Sequence, residues 1–443
     1  MVRVRERAGD PLRAGTLRKV TWRLVPLLML CYTVNYLDRI NISFAKFGLE
    51  KSFGMTATQY GFAAGIFFVG YVLAEVPSNM IMTKVGARIW ITRIMVTWGI
   101  IAATLAAAPN VETVYALRFL LGIAEAGFFP GIIVYLTHWF PNQQRTKVIA
   151  TFMVSIPLSS VIGGPFNGWV LSAFDGVWGL DGWRWVFVVG GVPAVLLGVV
   201  FFLSATDRPA GARWLTPEQR DWLTATLRAE ESQRTAAAPA GHRAALRNKR
   251  VIALAGVYFL LQCGAYPLTY WMPSVIKGVD RTLSTVDVGW LSAVPFLASA
   301  VCMFLAGRGV KGGDGSARPV MIALAVSVVT FTVTAVSLGT PLLAFASITV
   351  ATMAAQTAKP LFWSLPTAFL AGAGAASGIA LINSLGNAAG FISPFAVGWI
   401  QDASGGNVGL SMTVMILANL CAMAVIVGLW WFASRPTRVR ARR

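Results

Sequence analysis

Asn35-Tyr36-Leu37-Asp38-Arg39-Ile40-Asn41 lies near the far end of an apolar run that begins at Leu24. A charge placed alone in hydrocarbon is costly, so an ionisable pair in such a run marks a substrate or ion path by default. The competing reading is an ion pair that clamps one helix to its neighbour, and either role puts the charges on the interior of a bundle. Adjacent residues on a helix point about 100° apart. Asp38 and Arg39 therefore do not face each other, and each needs its own partner.

The surrounding chain supports a membrane setting. It has 443 residues, 56% hydrophobic and only 12% charged, with a mean hydropathy of +0.65. That is too apolar for a water-soluble domain and long enough for about a dozen spans of about 20 residues. Cys31, Cys263, Cys302 and Cys421 sit singly in apolar runs, and neither His138 nor His242 has metal-ligand spacing. They imply no disulfide framework or metal site, and no cofactor is expected. The segment Met1–Arg23 is Arg-rich and lacks a small-residue cleavage pattern before the first span, so it reads as a retained tail.

The net charge of +19 is distributed as orientation signals, not as a nucleic-acid surface. Basic residues crowd the putative inner segments: Arg3 to Arg23, Lys84 and Arg88, Arg145 and Lys147, nine between Arg208 and Arg250, Arg308 to Arg318, and Arg435 to Arg443. The putative outer segments hold only Lys46, Lys51, Arg184, Lys277 and Arg281. Such a bias places both termini and the central loop in the cytoplasm.

Hydropathy places twelve spans near residues 24–44, 58–80, 89–108, 113–135, 147–172, 184–204, 251–275, 287–307, 319–338, 341–370, 376–400 and 409–432. The expected fold is an all-α membrane protein of two pseudo-symmetric six-helix bundles. The expected division is a cytoplasmic tail at 1–23, bundles at 24–204 and 251–433, a cytoplasmic linker at 205–250 and a basic tail at 434–443. The tenth span, with Pro360 and Pro366, is expected to kink or break. Within the linker, Thr216-Pro217-Glu218 predicts the start of a short helix with Trp222, Leu223 and Leu227 on its apolar face. Gly164-Pro165-Phe166-Asn167-Gly168-Trp169 resembles Ser393-Pro394-Phe395-Ala396-Val397-Gly398-Trp399, and the basic pairs Arg18-Lys19 and Lys249-Arg250 are displaced by nearly the same number of positions. A duplicated six-helix unit produces such matched offsets and sets a substrate site between its halves.

Asp38, Arg39, Arg118 and Glu125 lie well inside apolar runs. Arg118 and Glu125 are seven residues apart, about two turns and ~10 Å along one helix face, so they look into the same space. Arg39, with its planar fork, suits an organic carboxylate. Glu125 is placed to bind and release a proton, and Asp38 is available to pair with Arg118. The alternative for Glu125 is a permanently neutral acid bonded to a neighbouring helix. Tyr36, Tyr71, Gln262, Tyr266, Trp363, Asn383 and Asn387 are candidate lining residues, equally able to bridge helices. Lys359, beside Pro360, either meets a second carboxylate or snorkels inward as structure. No nucleophile elbow, paired histidines or phosphate loop is present, which argues against an enzyme.

Tyr36-Leu37-Asp38-Arg39-Ile40-Asn41, Glu75-Val76-Pro77-Ser78-Asn79, Arg118-Phe119-Leu120-Leu121-Gly122, Glu125-Ala126-Gly127-Phe128-Phe129-Pro130-Gly131 and Phe362-Trp363-Ser364-Leu365-Pro366-Thr367 together resemble the anion:cation symporter family of the major facilitator superfamily. The resemblance covers nearly the whole chain. It implies alternating access and proton-coupled uptake of organic anions such as phthalate, hydroxyphenylacetate, tartrate or sugar acids. It also implies that Asp38 and Glu125 carry protons, that Arg39 meets the substrate carboxylate and that Arg118 joins the charge network. Two departures stand out. Thr83 replaces the superfamily's usual Asp before Gly86, which moves the expected inner latch to Glu75 and Arg88. Span five lacks the Gln of sugar-acid members, which favours an aromatic or short dicarboxylic acid. The resulting expectation is a monomeric proton symporter of the cytoplasmic membrane, against a uniporter or exchanger of the same fold and a membrane sensor that binds the anion without moving it.

Overall fold

A computed structural model describes residues 11–236, 248–309, 317–369 and 373–434. The expected tail segments at 1–10 and 435–443, and residues 237–247 of the linker, lie outside the described residues. The helices are α1 (Pro11–Phe53), α2 (Ala57–Val85), α3 (Ala87–Thr104), α4 (Val111–Glu125), α5 (Phe128–Thr137), α6 (Asn142–Met153), α7 (Ser155–Ala173), α8 (Gly182–Ser204), α9 (Pro217–Ala236), α10 (Lys249–Val279), α11 (Thr285–Gly309), α12 (Arg318–Val336), α13 (Pro341–Phe362), α14 (Ser364–Phe369), α15 (Ala373–Ala403), α16 (Val408–Ser411) and α17 (Thr413–Ser434). Four spans are each built from two of these in series: α4–α5, α6–α7, α13–α14 and α16–α17. Among the described residues, ten spans are long and apolar enough to cross a membrane. The 43-residue α1 and the 31-residue α15 have the length to complete twelve. Leu196, Leu203, Val336 and Leu342 are exposed, as side chains facing lipid are.

The packing repeats with a period of six spans. In the first half α1 packs on α7 and α8, α2 on α4, and α3 on α4 and α8. In the second half α10 packs on α15 and α17, α11 on α13, and α12 on α13 and α17. The halves meet along two equivalent seams, α2 on α15 and α7 on α11. The two resembling sequence segments lie on these seams. Gly168 approaches the backbone of Thr285, the first residue of α11, and Gly398 approaches that of Ala57, the first residue of α2. Gly164 and Gly289 likewise meet backbone to backbone, with no room for a Cβ. Repetition of Gly and Pro there is the signature of two close crossings.

Both seams shut the same end of the molecule, the end carrying residues 54–56 and 280–284. There Asp402 accepts the backbone N–H groups of Ala57 at 3.1 Å and Thr58 at 2.7 Å, and the Tyr60 hydroxyl donates to the Tyr270 carbonyl at 2.6 Å.

Some boundaries differ from the sequence reading. The expected tail is already helical from Pro11, because Leu17, Val20 and Leu24 continue the buried stripe of α1. Lys46, assigned to an outer loop, is buried in the same helix, paired with Glu50 at 2.6 Å and lying over the rings of Tyr60 and Trp271. The tenth span breaks at Trp363, between Pro360 and Pro366, as expected. The α9 helix starts where the Thr216 signal places it, and Thr216 and Gln219 cap each other at 3.2 and 3.3 Å. Its Leu223 is fully buried against the first half, with Trp222 and Leu227 packed alongside.

A valine at Gly289 overpacks the seam, by about 1–3 kcal/mol for such a change, and should shift the population away from closure at this end about 5- to 150-fold. Labelling of a cysteine at Ala293, in a background without the native cysteines, by a membrane-impermeant thiol reagent is expected to rise accordingly. Unchanged labelling would show that another contact holds this end shut.

Candidate functional site

The Arg39 side chain leaves α1 among three rings. Its guanidinium carbon lies 5.4 Å from the ring centre of Tyr36, 5.3 Å from Phe67 and 5.2 Å from Tyr71. Tyr36 is one turn back on α1, and Phe67 and Tyr71 are one turn apart on α2. Each such cation–π contact contributes ~0.5–2 kcal/mol where water is excluded. Arg39 Nε donates to Glu125 Oε1 at 2.6 Å, and Nη2 pairs with the same oxygen. The other carboxylate oxygen, Oε2, is buried without a hydrogen-bond partner. Arg39 is 14% exposed and Glu125 not at all, so the guanidinium stands between the acid and open space.

Glu125 is the last residue of α4, and the chain breaks directly after it. Gly127 adopts φ +88°, a left-handed conformation that glycine tolerates, and α5 begins at Phe128. The carbonyl of Ala126 is freed by the break and accepts a 2.6 Å bond from Ser78 Oγ, which in turn accepts from Trp90 Nε1 at 3.0 Å. The Glu75–Asn79 motif thus has a structural role: its serine closes the break that ends α4 at the buried acid. A C-terminal helix end adds negative potential, which the Arg39 guanidinium beside it offsets. The sequence reading took 113–135 as one span. Gly127 and Pro130 were the available signal of a break.

The expected pairing of Asp38 with Arg118 is absent. Asp38, 1% exposed, faces α8 beside Gly190 and takes only a long 3.4 Å bond from Asn41 Nδ2, leaving Oδ2 without a partner. Arg118 is fully buried and donates to the Ala63 carbonyl at 3.2 Å and that of Ala64 at 3.5 Å. Its guanidinium lies 5.0 Å from the centre of the Phe67 ring, which Arg39 also approaches. Close helix packing explains the difference: Gly70 and Gly122 bring α2 and α4 backbone to backbone, so Arg118 meets carbonyls before it can reach α1. The expected latch between Glu75 and Arg88 is also absent. Arg88 turns to the far end of α8, where its backbone N–H bonds Asp207 at 2.8 Å and Nε bonds the Phe202 carbonyl at 2.6 Å.

In the second half, the Tyr266 hydroxyl donates to Asn387 Oδ1 at 3.2 Å, and its ring packs edge-on to Phe68 of α2, centres 4.8 Å apart. Trp363 lies 5.0 Å from Tyr258. Gln262 is buried with Oε1 unpartnered, and Asn383 is half-buried. Lys359 is half-buried on a stripe of α13 with Thr352 and Gln356, and no carboxylate pairs with it among the described residues. Tyr36, Arg39, Tyr71 and Glu125 therefore form one cluster, and Tyr266 and Asn387 join across the second half. Arg118 and Asp38 are turned into helix interfaces. Phe67, shared by both arginines, carried no signal in the sequence.

Membrane-length helices packed in two equivalent bundles, with a buried ion pair among aromatic rings in the first, define a membrane carrier. The comparisons agree: residues 28–394 match the family model of the Major Facilitator Superfamily, and the chain belongs to that superfamily. It is a multi-pass secondary transporter and not an enzyme. It is 44% identical to a "Putative tartrate transporter" of Agrobacterium vitis over 98% of this chain and 95% of that protein. It is 33% identical to the "Inner membrane transport protein RhmT" of Escherichia coli strain K12 over 97% of each. Its fold resembles a partially occluded inward-open structure of the xylose transporter XylE from E. coli, with a TM-score of 0.72, 16% identity and coverage of 94% of this chain and 98% of that one.

Replacing Ser78 with alanine leaves the Ala126 carbonyl and the Trp90 indole without their partner, at about 1–3 kcal/mol for a buried unpaired group. The thermal unfolding midpoint of the purified protein is expected to fall, and an unchanged midpoint would mean that the break is held by other contacts.

Proposed function

We propose that the protein takes up a small organic carboxylate together with protons, by alternating access. The observation that carries this reading is the single shared oxygen of the Arg39–Glu125 pair, with Oε2 bare. While Glu125 is ionised it occupies the cation. A proton on the bare oxygen removes the charge that holds Arg39, and the guanidinium can then turn its fork to a substrate carboxylate, the geometry it favours. Substrate and ionised Glu125 compete for one site, so loading the anion requires loading the proton. Deprotonation at the receiving face restores the internal pair and expels the anion. Asp38, also buried with an unpartnered oxygen, is the candidate for a second proton.

Tyr36 and Tyr71 flank the carboxylate in this reading, and Gln262, Tyr266, Asn383, Asn387 and Trp363 offer polar contacts from the second half. Arg118 holds α4 to α2 and acts on substrate only through Phe67. Lys359 suits the second carboxylate of a short dicarboxylic acid, a substrate class supported by the name of the 44%-identical relative. The name of the E. coli relative supports an inner-membrane location, and the charge bias supports both termini in the cytoplasm. We take residues 24–204 and 251–433 as the two rocking units and the protein as a monomer.

Reconstituted vesicles with an imposed pH gradient test the coupling. Wild type is expected to accumulate labelled tartrate uphill. Glu125→Gln is expected to lose gradient-driven accumulation while keeping exchange, and Arg39→Lys to lower uptake ~10- to 100-fold, the loss of a charge-assisted fork. Full uphill accumulation by Glu125→Gln would refute the coupling role of Glu125, and a wild type that equilibrates or exchanges the anion without accumulating it would be a uniporter or exchanger.

A further inference from the structure

At the end opposite the glycine seams, three separate stretches of chain enclose a cavity of about 170 Å³. The end of α5 contributes Thr137 and His138, the start of α6 contributes Arg145, the turn after α8 contributes Arg208, and α9 contributes Leu227, Arg228 and Glu230. Three guanidiniums and an imidazole thus share a space with one carboxylate. That carboxylate is already engaged: both Glu230 oxygens accept the Asn142 backbone N–H at 3.0 Å, and Oε2 lies 3.6 Å from Arg145 Nη2. Arg208 and Arg228 make no ion pair among the described residues.

The walls are fixed by packing unrelated to these charges. Trp139 stacks on Trp214 with centres 5.4 Å apart and planes within 17°, Arg23 covers the Trp214 ring at 5.1 Å, and Leu223 anchors α9 in the core. Like charges held together in a half-enclosed space repel, and a multivalent anion relieves that repulsion. Guanidinium forks match the oxygens of a phosphoryl group. A carboxylate substrate offers two oxygens to one fork, whereas a phosphoryl group offers three and can engage Arg208 and Arg228 together.

We propose that this cavity binds a phosphoryl anion, supplied by an anionic lipid headgroup or by a soluble phosphate compound, and that the bound anion ties α9 to the first half. The site is separate from the transport pair and shares no residue with it. Because α9 lies in the segment joining the two bundles, its occupancy fixes one end of that connection.

The test uses the purified full-length protein in two arms. In detergent, pyrophosphate is expected to raise the unfolding midpoint saturably. Combining Arg208→Gln with Arg228→Gln is expected to weaken its apparent Kd about ten-fold or more, while Arg213→Gln, which removes one nearby charge outside the cavity, should change it less than about two-fold. If the glutamine pair fails to fold, Arg208→Lys with Arg228→Lys keeps the charge, loses the fork and should weaken binding about three-fold or more. In the second arm, nanodiscs of phosphatidylglycerol are compared with nanodiscs of phosphatidylcholine. Stabilisation by the anionic lipid that is lost in the double variant, without a pyrophosphate effect, assigns the site to a headgroup. Equal responses of the Arg213 and Arg208/Arg228 variants, or no response in either arm, would overturn the proposal.

Discussion

A positive and a negative charge placed side by side in hydrocarbon constrain most of what surrounds them. Either alone would be expensive to keep out of water, and removing one partner leaves the other stranded. Arg39 and Glu125 solve this with each other and with three aromatic rings. The solution requires α1, α2 and α4 to stay in fixed register. The glycine crossing of α2 and α4, the Arg118 bonds to Ala63 and Ala64, and the Ser78 bond to Ala126 all serve that register. Groups that touch no substrate in this arrangement still decide where the acid lies.

The gross architecture was open to reading from the chain because hydropathy and basic-residue bias are sums over many residues. The helical membrane fold and its paired packing rest on such repeated signals, and the structure has ten qualifying spans among the described residues; the start of α9 rests instead on one local cap, Thr216 with Gln219. The chemistry was legible to the extent that Arg39 and Glu125 are costly residues in an apolar setting, which limits what they can be doing. What escaped was pairing. Helix geometry turns residues 38 and 39 apart, but it does not say which neighbour each meets: Arg39 finds Glu125 on α4, and Asp38 faces α8 at the close approach of Gly190. The break after Glu125 escaped for a similar reason, unlike the proline-marked break of the tenth span: the glycine at 127 is one of many in the chain, and its left-handed backbone is a three-dimensional fact.

The second half carries less charge than the first. Lys359 is its sole cation within the spans originally read from hydropathy, and Tyr266 with Asn387 forms its clearest polar contact. The equivalent packing of the two bundles therefore does not extend to equivalent chemistry. One bundle holds the ionisable pair, and the other presents hydroxyl, amide and indole groups. The two bundles share a frame, and the buried ion pair lies on one side of it.

Asp402 belongs to α15 but satisfies the first amides of α2, on the opposite bundle. A helix start normally finds its acceptor within its own chain neighbourhood. Thr56 and Gln59 cap α2 from within the chain, but the Ala57 and Thr58 amides borrow their acceptor, so parting the bundles at this end strips two donors as well as separating two surfaces. Water must enter to take over the abandoned donors. Closure at this end is thus held by bonds to the backbone as well as by packed side chains, and opening it has a cost in hydration that apolar surfaces alone would not impose.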